Sequence, residues 1–249
     1  IGGVVDIHTG RIPHYLSDKP LSGGFETRHN LNSDGNTTSL KLNGSEGNVA
    51  WHVDGTRKDA NNYDIPGFAE SAELRALEPG EEHISGTLLG SAFTFESAAI
   101  GASYIKDWGF VGISVSDTDA DYGLPGHAEG GATPTLELAQ TRTDFELGLD
   151  KISDVIRSIN LRLGVNDYEH QEIEPDGEVA TRFSNKAWEA RAEFIVETGE
   201  WTHALGLQHS QRDFSALGEE AFIQPVDTAE SGIFWLGERS INTVNVEAG

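Results

Sequence analysis

The side chains with the widest chemistry in this sequence are its nine histidines, three of which sit among carboxylates. His127 lies close to Asp119, Asp121 and Glu129. His83 follows Glu81 and Glu82, and His170 is flanked by Glu169 and Glu172. Imidazole nitrogen and carboxylate oxygen together can hold a metal ion, and with no Cys in the chain no thiolate can join them. No two of these histidines stand at a compact ligand spacing, so each site requires the fold to bring separate segments together. Tyr63, Asp64, Tyr122 and Tyr168 lie at the bases of long polar stretches, placed either to contact a substrate or to staple those stretches down. Catalytic signatures are missing: there is no G-x-S-x-G elbow, no P-loop and no H-E-x-x-H. No catalytic role and no bound cofactor are expected of this chain.

The elements that position these residues follow from a period of two. Phe145, Leu147 and Leu149 alternate with Asp144, Glu146 and Asp150. Ile159, Leu161, Leu163 and Val165 alternate with Asn160, Arg162 and Asn166. Trp188, Ala190, Ala192, Phe194 and Val196 alternate with Glu189, Arg191 and Glu193. Such runs are strands with one apolar and one polar face. A polar face carrying arginines and paired carboxylates does not belong in a dry core. It fits an antiparallel transmembrane β-barrel with lipid outside and water or a plug inside.

The connections sort by length. Those at 44–47, 106–109, 153–154, 199–200 and 237–240 read as short turns, and those at 60–95, 117–140, 167–178 and 214–229 as long loops. Short turns on one rim and long loops on the other are the barrel arrangement. Ser71 to Leu77 has room for one or two helical turns. The loops at 60–95, 117–140 and 167–178 collect acid with Arg75 as their lone basic residue. That rim attracts cations and repels anions, or simply keeps the loops solvated. The whole chain has 41 acidic and 17 basic residues, a formal charge of −24, which argues against a nucleic-acid partner. No apolar run is long enough for a spanning helix, which leaves a barrel unaffected.

Several segments resemble a known family. IGGVVDI (1–7) followed by GRIP (10–13) is similar to the end of the plug and its junction with the barrel in TonB-dependent outer-membrane receptors. GFVGISVSDTDADYGLPGH (109–127), NDYEH (166–170), TRFSNKAWEARAEF (181–194) and RDFSALGEEAF (212–222) resemble the zinc-uptake receptors of that family. The resemblance implies a barrel of about 22 strands around a plug, of which roughly eleven meandering strands fit in this chain. It divides the chain into a plug end and junction at 1–14 and the N-terminal half of the barrel at 15–249. The sequence then reads as a partial chain, lacking the coupling box, most of the plug and the second barrel half.

The implied function is TonB-dependent transport across the bacterial outer membrane, with lipid, the TonB energy-coupling protein and a metal ion or chelate as partners. In the zinc-uptake members the loop after the YGLP segment is rich in His and acid. Here it offers His127, Asp119, Asp121 and Glu129, one His where the family has a cluster, with zinc as a transported ligand. His203 and His209 read as lipid-facing, and His52 as lumen-facing beside Asp54. His8 and His14 flank the junction, and His29 reads as a rim residue. Glu189, Arg191 and Glu193, with Arg157 and Arg162, read as an ion ladder holding the plug. The competing readings are a passive outer-membrane pore or adhesin without energy coupling, and an outer-membrane hydrolase. In the full-length receptor, replacing His127, Asp121 and Glu129 together is expected to weaken zinc capture. Unchanged zinc uptake by that triple variant removes the metal-site assignment.

Overall fold

A computed structural model describes residues 9–80, 83–125, 132–218, 221 and 223–249. The strands in chain order are β1 (Leu21–Asn30), β2 (Gly35–Glu46), β3 (Val49–Ala60) and β4 (Asp64–Phe68). A short helix, α1 (Ala72–Leu77), precedes β5 (Ser85–Thr87), β6 (Phe93–Lys106), β7 (Gly109–Gly123) and β8 (Thr135–Asp150). Then come β9 (Ile156–Ile173), β10 (Val179–Thr198), β11 (Trp201–Gly218), β12 (Val226–Ile241) and β13 (Val244–Ala248). Eleven of the strands form one sheet in the order β1-β2-β3-β6-β7-β8-β9-β10-β11-β12-β13, and β4 pairs only with β5. Neighbours in the large sheet are consecutive and antiparallel, as in a meander. Among the described residues the sheet is not closed: β1 and β13 are its edges. None of the described helices is long and apolar enough to cross a membrane.

The register decides which side chains share a face. One face carries Val53, Ile100 and Val115 in a row, then Phe145, Leu163 and Ala190, then Leu207 and Ile233. Ile113, Leu207 and Ile233 are half or more exposed. This outer band has charged limits: Asp107, in the turn before β7, and Asp117 bound it there, and Arg157 and Asp167 on β9. The span is about ten residues, or about 33 Å of strand, which at a tilt near 40° is about 25 Å of height. That is the height of a lipid-facing girdle. Aromatic groups mark both limits. At the short-turn rim His203 stacks between Trp201 and Trp235, with ring centroids 6.1 and 6.0 Å away. At the other limit His209 packs 5.1 Å from Trp188. The lipid-facing placement of His203 and His209 thus holds.

The short turns also hold, with one exception. Gly47 and Gly199 adopt φ of 59° and 64°, conformations that favour glycine. The expected turn at 237–240 is strand: β12 continues to Ile241 and the chain turns at Asn242, whose φ is 53°. Gly237 instead makes room beside Trp235, where a Cβ would lie 2.9 Å from the indole. The expected long loops need a larger correction. β7 runs to Gly123, β8 starts at Thr135, β9 runs to Ile173 and β10 starts at Val179. Asp117, Asp119, Asp121, Glu137, Asp167, Glu169 and Glu172 are therefore strand residues and not loop residues. Within 60–95 the chain forms β4, α1 and β5, with the Ser71 hydroxyl capping α1 by accepting from the Leu74 N–H at 3.2 Å.

A charge on the outer band is expected to destabilise the barrel in a bilayer by about 2–4 kcal/mol, and one on the inner face far less. Leu163→Arg and Asn160→Arg, neighbours on opposite faces of β9, make the pair to compare. Urea unfolding of the protein in lipid vesicles measures it; equal losses would contradict the assignment of faces.

Candidate functional site

The chain from Thr9 to Leu16 crosses the inner face as an irregular strap. Two glycines of the sheet make its seat. A Cβ on Gly101 would stand 1.9 Å from the Arg11 carbonyl oxygen, and one on Gly112 would stand 2.5 Å from Ile12 Cγ2. Ile12 is accordingly buried, beside Ala99, Ser103 and Ser114 on the same face. Arg11 clamps Asp54 with two bonds, Nε to Oδ2 at 3.1 Å and Nη2 to Oδ1 at 3.3 Å. His52, 1% exposed, donates from Nε2 to the same carboxylate at 2.9 Å, and its Nδ1 lies 2.7 Å from Asn43 Oδ1. His14 pairs with Glu146 at 2.8 Å and stacks on Phe110 at 4.1 Å. Charge-assisted bonds of this kind contribute about 1.5–3 kcal/mol each.

Beyond the strap the inner wall of β8 to β12 is wet. Arg142 grips Asp144 through three bonds, and Gly164 across the ladder leaves space for the pair. Arg191 donates to Glu193 at 3.1 Å and to Gln208 at 3.4 Å, and Gln208 donates to Glu189 at 3.0 Å. The Arg191 guanidinium lies 4.6 Å over the Phe234 ring, which fits because residue 206 is glycine. The ladder of Glu189, Arg191 and Glu193 is thus closed within the wall and does not grip the strap. Arg157 is not part of it: it pairs with Glu197 at the short-turn rim. Arg162 is on the inner face, between Glu146 and Arg191 in register.

The residues expected to bind metal are dispersed. Asp119 and Asp121 face outward, and Asp121 accepts from Thr94 at 3.2 Å. His127 and Glu129, with Glu81 and Glu82, lie outside the described residues, as do His8 and the segment 1–7. His83 bonds Glu70 through Nδ1 at 2.9 Å. His170 faces inward, stacked 4.4 Å from Phe183, with Nδ1 3.0 Å from the Tyr168 hydroxyl. Its neighbour Glu169 is on the other face, paired with Arg182 at 3.3 Å. Asp121 and His170 are therefore separated by the sheet. Among the described residues no three His, Asp or Glu side chains converge as a metal-binding group.

Of the four substrate-loop candidates, Tyr63 and Asp64 are hydrogen-bonded to the stretch from β5 to the start of β6. The Tyr63 N–H donates to Ser91 Oγ at 3.0 Å, and Asp64 accepts from Thr87 at 3.0 Å. Tyr122 and Tyr168 are strand residues on the inner face. They belong to a feature that the alternation did not bring out. Past the outer band the two faces exchange character. Outward positions there hold Glu96, Asp119, Asp121, Glu137 and Glu169, while inward positions hold Phe93, Phe95, Leu136, Leu138 and Phe183. The signal was present as an unbroken period of two whose polarity changes sign after Ser116.

No family model matches this chain. Two solved structures superpose on 91% of it: the copper transporter OprC, with a TM-score of 0.67 at 9% identity, and the FrpB iron transporter of Neisseria meningitidis (F3-3 variant), with 0.55 at 11%. The chain spans 36% and 45% of the lengths of those two proteins. At such identities the likeness is one of fold, a shared antiparallel barrel wall.

Burial holds the His170 imidazole below the ordinary histidine range, and burial followed by the nearby Tyr122 holds the Tyr168 hydroxyl above the ordinary tyrosine range. Because the imidazolium is the disfavoured form, the stabilisation from neutral His170 is complete above the ordinary imidazole pKa and fades as pH falls through the lowered one. NMR titration of labelled histidine in the protein is expected to show His170 protonating at lower pH than a free imidazole. Phe183→Ala, by admitting water, moves it back up. A His170 that titrates normally and ignores Phe183 contradicts the burial account.

Proposed function

We propose that this chain is part of an outer-membrane transporter of the TonB-dependent kind, which takes up a metal ion or metal chelate. The observation that carries the reading is the strap at 9–16, bonded through Arg11 and His14 to the wet inner wall of a sheet whose other face is a lipid-height apolar band. A segment clamped across the lumen suits a plugged barrel and is at odds with an open pore. In this reading 1–14 is the end of the plug and its junction, 15–249 is the N-terminal half of the barrel, and further strands meet β1 and β13. Lipid surrounds the outer band, and the energy-coupling partner acts through the plug. The fold shared with a copper and an iron transporter supports metal cargo. The chain has neither Cys nor Met, so whatever ligands these residues supply are nitrogen and oxygen, which suits zinc or ferric iron better than cuprous copper. Zinc as the cargo rests on the resemblance of the segments at 109–127 and 181–194.

Transport of this kind requires energy, and a pore does not. Cells that express the full-length receptor under metal limitation are expected to accumulate radioactive zinc, and a protonophore or loss of TonB should abolish the accumulation. The double variant Arg11→Ala, His14→Ala should loosen the strap and raise entry of large antibiotics such as vancomycin. Zinc entry that persists without TonB would replace the proposal with a passive pore.

A further inference from the structure

We propose that the strap is a releasable latch, and that the wall carries a spare cation for each carboxylate the strap would abandon. Lys41 is the spare partner of Asp54, and Arg162 is that of Glu146. This rests on the uptake reading above, which requires the strap to move, and deepens it by naming the residues that make the movement reversible. The seat of the strap on β6 and β7 lies between its two anchoring carboxylates, Asp54 on β3 and Glu146 on β8. Each carboxylate has a small residue beside it toward the seat and a cation beside it on the far side. Asp54 stands between Ala99 and Lys41 in the ladder, and Glu146 stands between Gly112 and Arg162. Residues directly opposed on one face of an antiparallel pair have Cβ atoms about 4.5–5.5 Å apart, within reach of an ion pair.

Neither pair is made in this structure, because both carboxylates turn to the strap, Asp54 to Arg11 and Glu146 to His14. Lys41 and Arg162 are exposed, and among the described residues neither side chain has a partner. The other inner-wall cations differ. Arg28, Arg142 and Arg191 are bonded to carboxylates two residues away on their own strands, and Lys58 lies over Phe95. Arg212, also unbonded, has Ala187 and Thr228 beside it in the ladder and no carboxylate to receive. A part-buried carboxylate stripped of its partner is costly, because full hydration does not replace the lost attraction. Asp54 and Glu146 are each 25% exposed, so that cost would oppose any release of the strap. With a cation directly across the ladder, each carboxylate swings over and remains paired. The wall then closes on itself, as the ladder around Arg191 already does.

The chain has no Cys, so Ile12→Cys puts a single thiol beneath the strap. Its rate of modification by a charged maleimide, with the protein in lipid vesicles, reports how often the strap lifts. In that background Lys41→Gln and Arg162→Gln should each slow modification by about threefold, and together by about tenfold. Arg162→Lys, which keeps the charge, should leave the rate near the parent's. In Asp54→Asn the further change Lys41→Gln should have no effect, and the same holds for Arg162→Gln in Glu146→Gln. Heat-modified gel mobility verifies that each variant is folded. Rates left unchanged or raised by the glutamine variants overturn the exchange, since the cations are then idle or support the closed strap. Slowing that survives the loss of the opposite carboxylate also overturns it, because plain repulsion of Arg11 and His14 then explains the effect. Zinc accumulation by cells is a separate readout. TonB-dependent uptake with unchanged modification rates refutes the latch and leaves transport standing. Slowed modification without any TonB-dependent uptake refutes transport and leaves the latch standing.

Discussion

In hydrocarbon an unpaired amide has nothing to bond with, and every other feature of this sheet accommodates that fact. Ten antiparallel ladders satisfy the backbone between β1 and β13, and the long connection from β3 to β6, with α1 and the β4–β5 pair, takes no place in that sheet. Once the backbone is committed to ladders, side chains have two directions only, and alternation must do all the sorting. The apolar band, the ionic inner wall and the seat of the strap are three outcomes of that one rule. Gly101 and Gly112 show how finely it works, since two missing Cβ atoms on adjacent strands let a backbone segment lie directly on the wall.

The strap and the ladder divide the ionic work between them. Arg11 and His14 use Asp54 and Glu146, while Arg191, Glu193, Gln208 and Glu189 bond to one another. The wall therefore holds its own shape and offers only particular carboxylates to what crosses the lumen. His52 belongs to this division: almost fully buried, it bonds the same Asp54 oxygen as Arg11 Nε and so fixes the clamp.

Much of this was legible in the residues. The lipid-spanning halves of the strands announced themselves because apolar residues alternate there with polar ones or glycine, as in Ile159 to Val165 against Asn160 to Asn166. The Ser71 cap and the glycine turns at Gly47 and Gly199 were legible for local reasons. The strand ends at the mouth were not, because sequence reading treats a run such as Asp117 to Asp121 as loop, whereas those carboxylates merely occupy the outer face of a continuing strand. Gly237 misled in the opposite sense, serving an indole and not a turn. The metal candidates failed to assemble because nearness in sequence along a strand alternates between faces, so Glu169 and His170 are neighbours that never meet.

The continuation of β6 to β11 beyond the lipid band has a consequence for how the mouth handles solute. A collar of hydrogen-bonded strands is already ordered, so a molecule that docks on it does not have to freeze a floppy loop first, and the conformational entropy lost on association is small. Such a rim discriminates by fixed shape and spacing more than by how far the wall will yield.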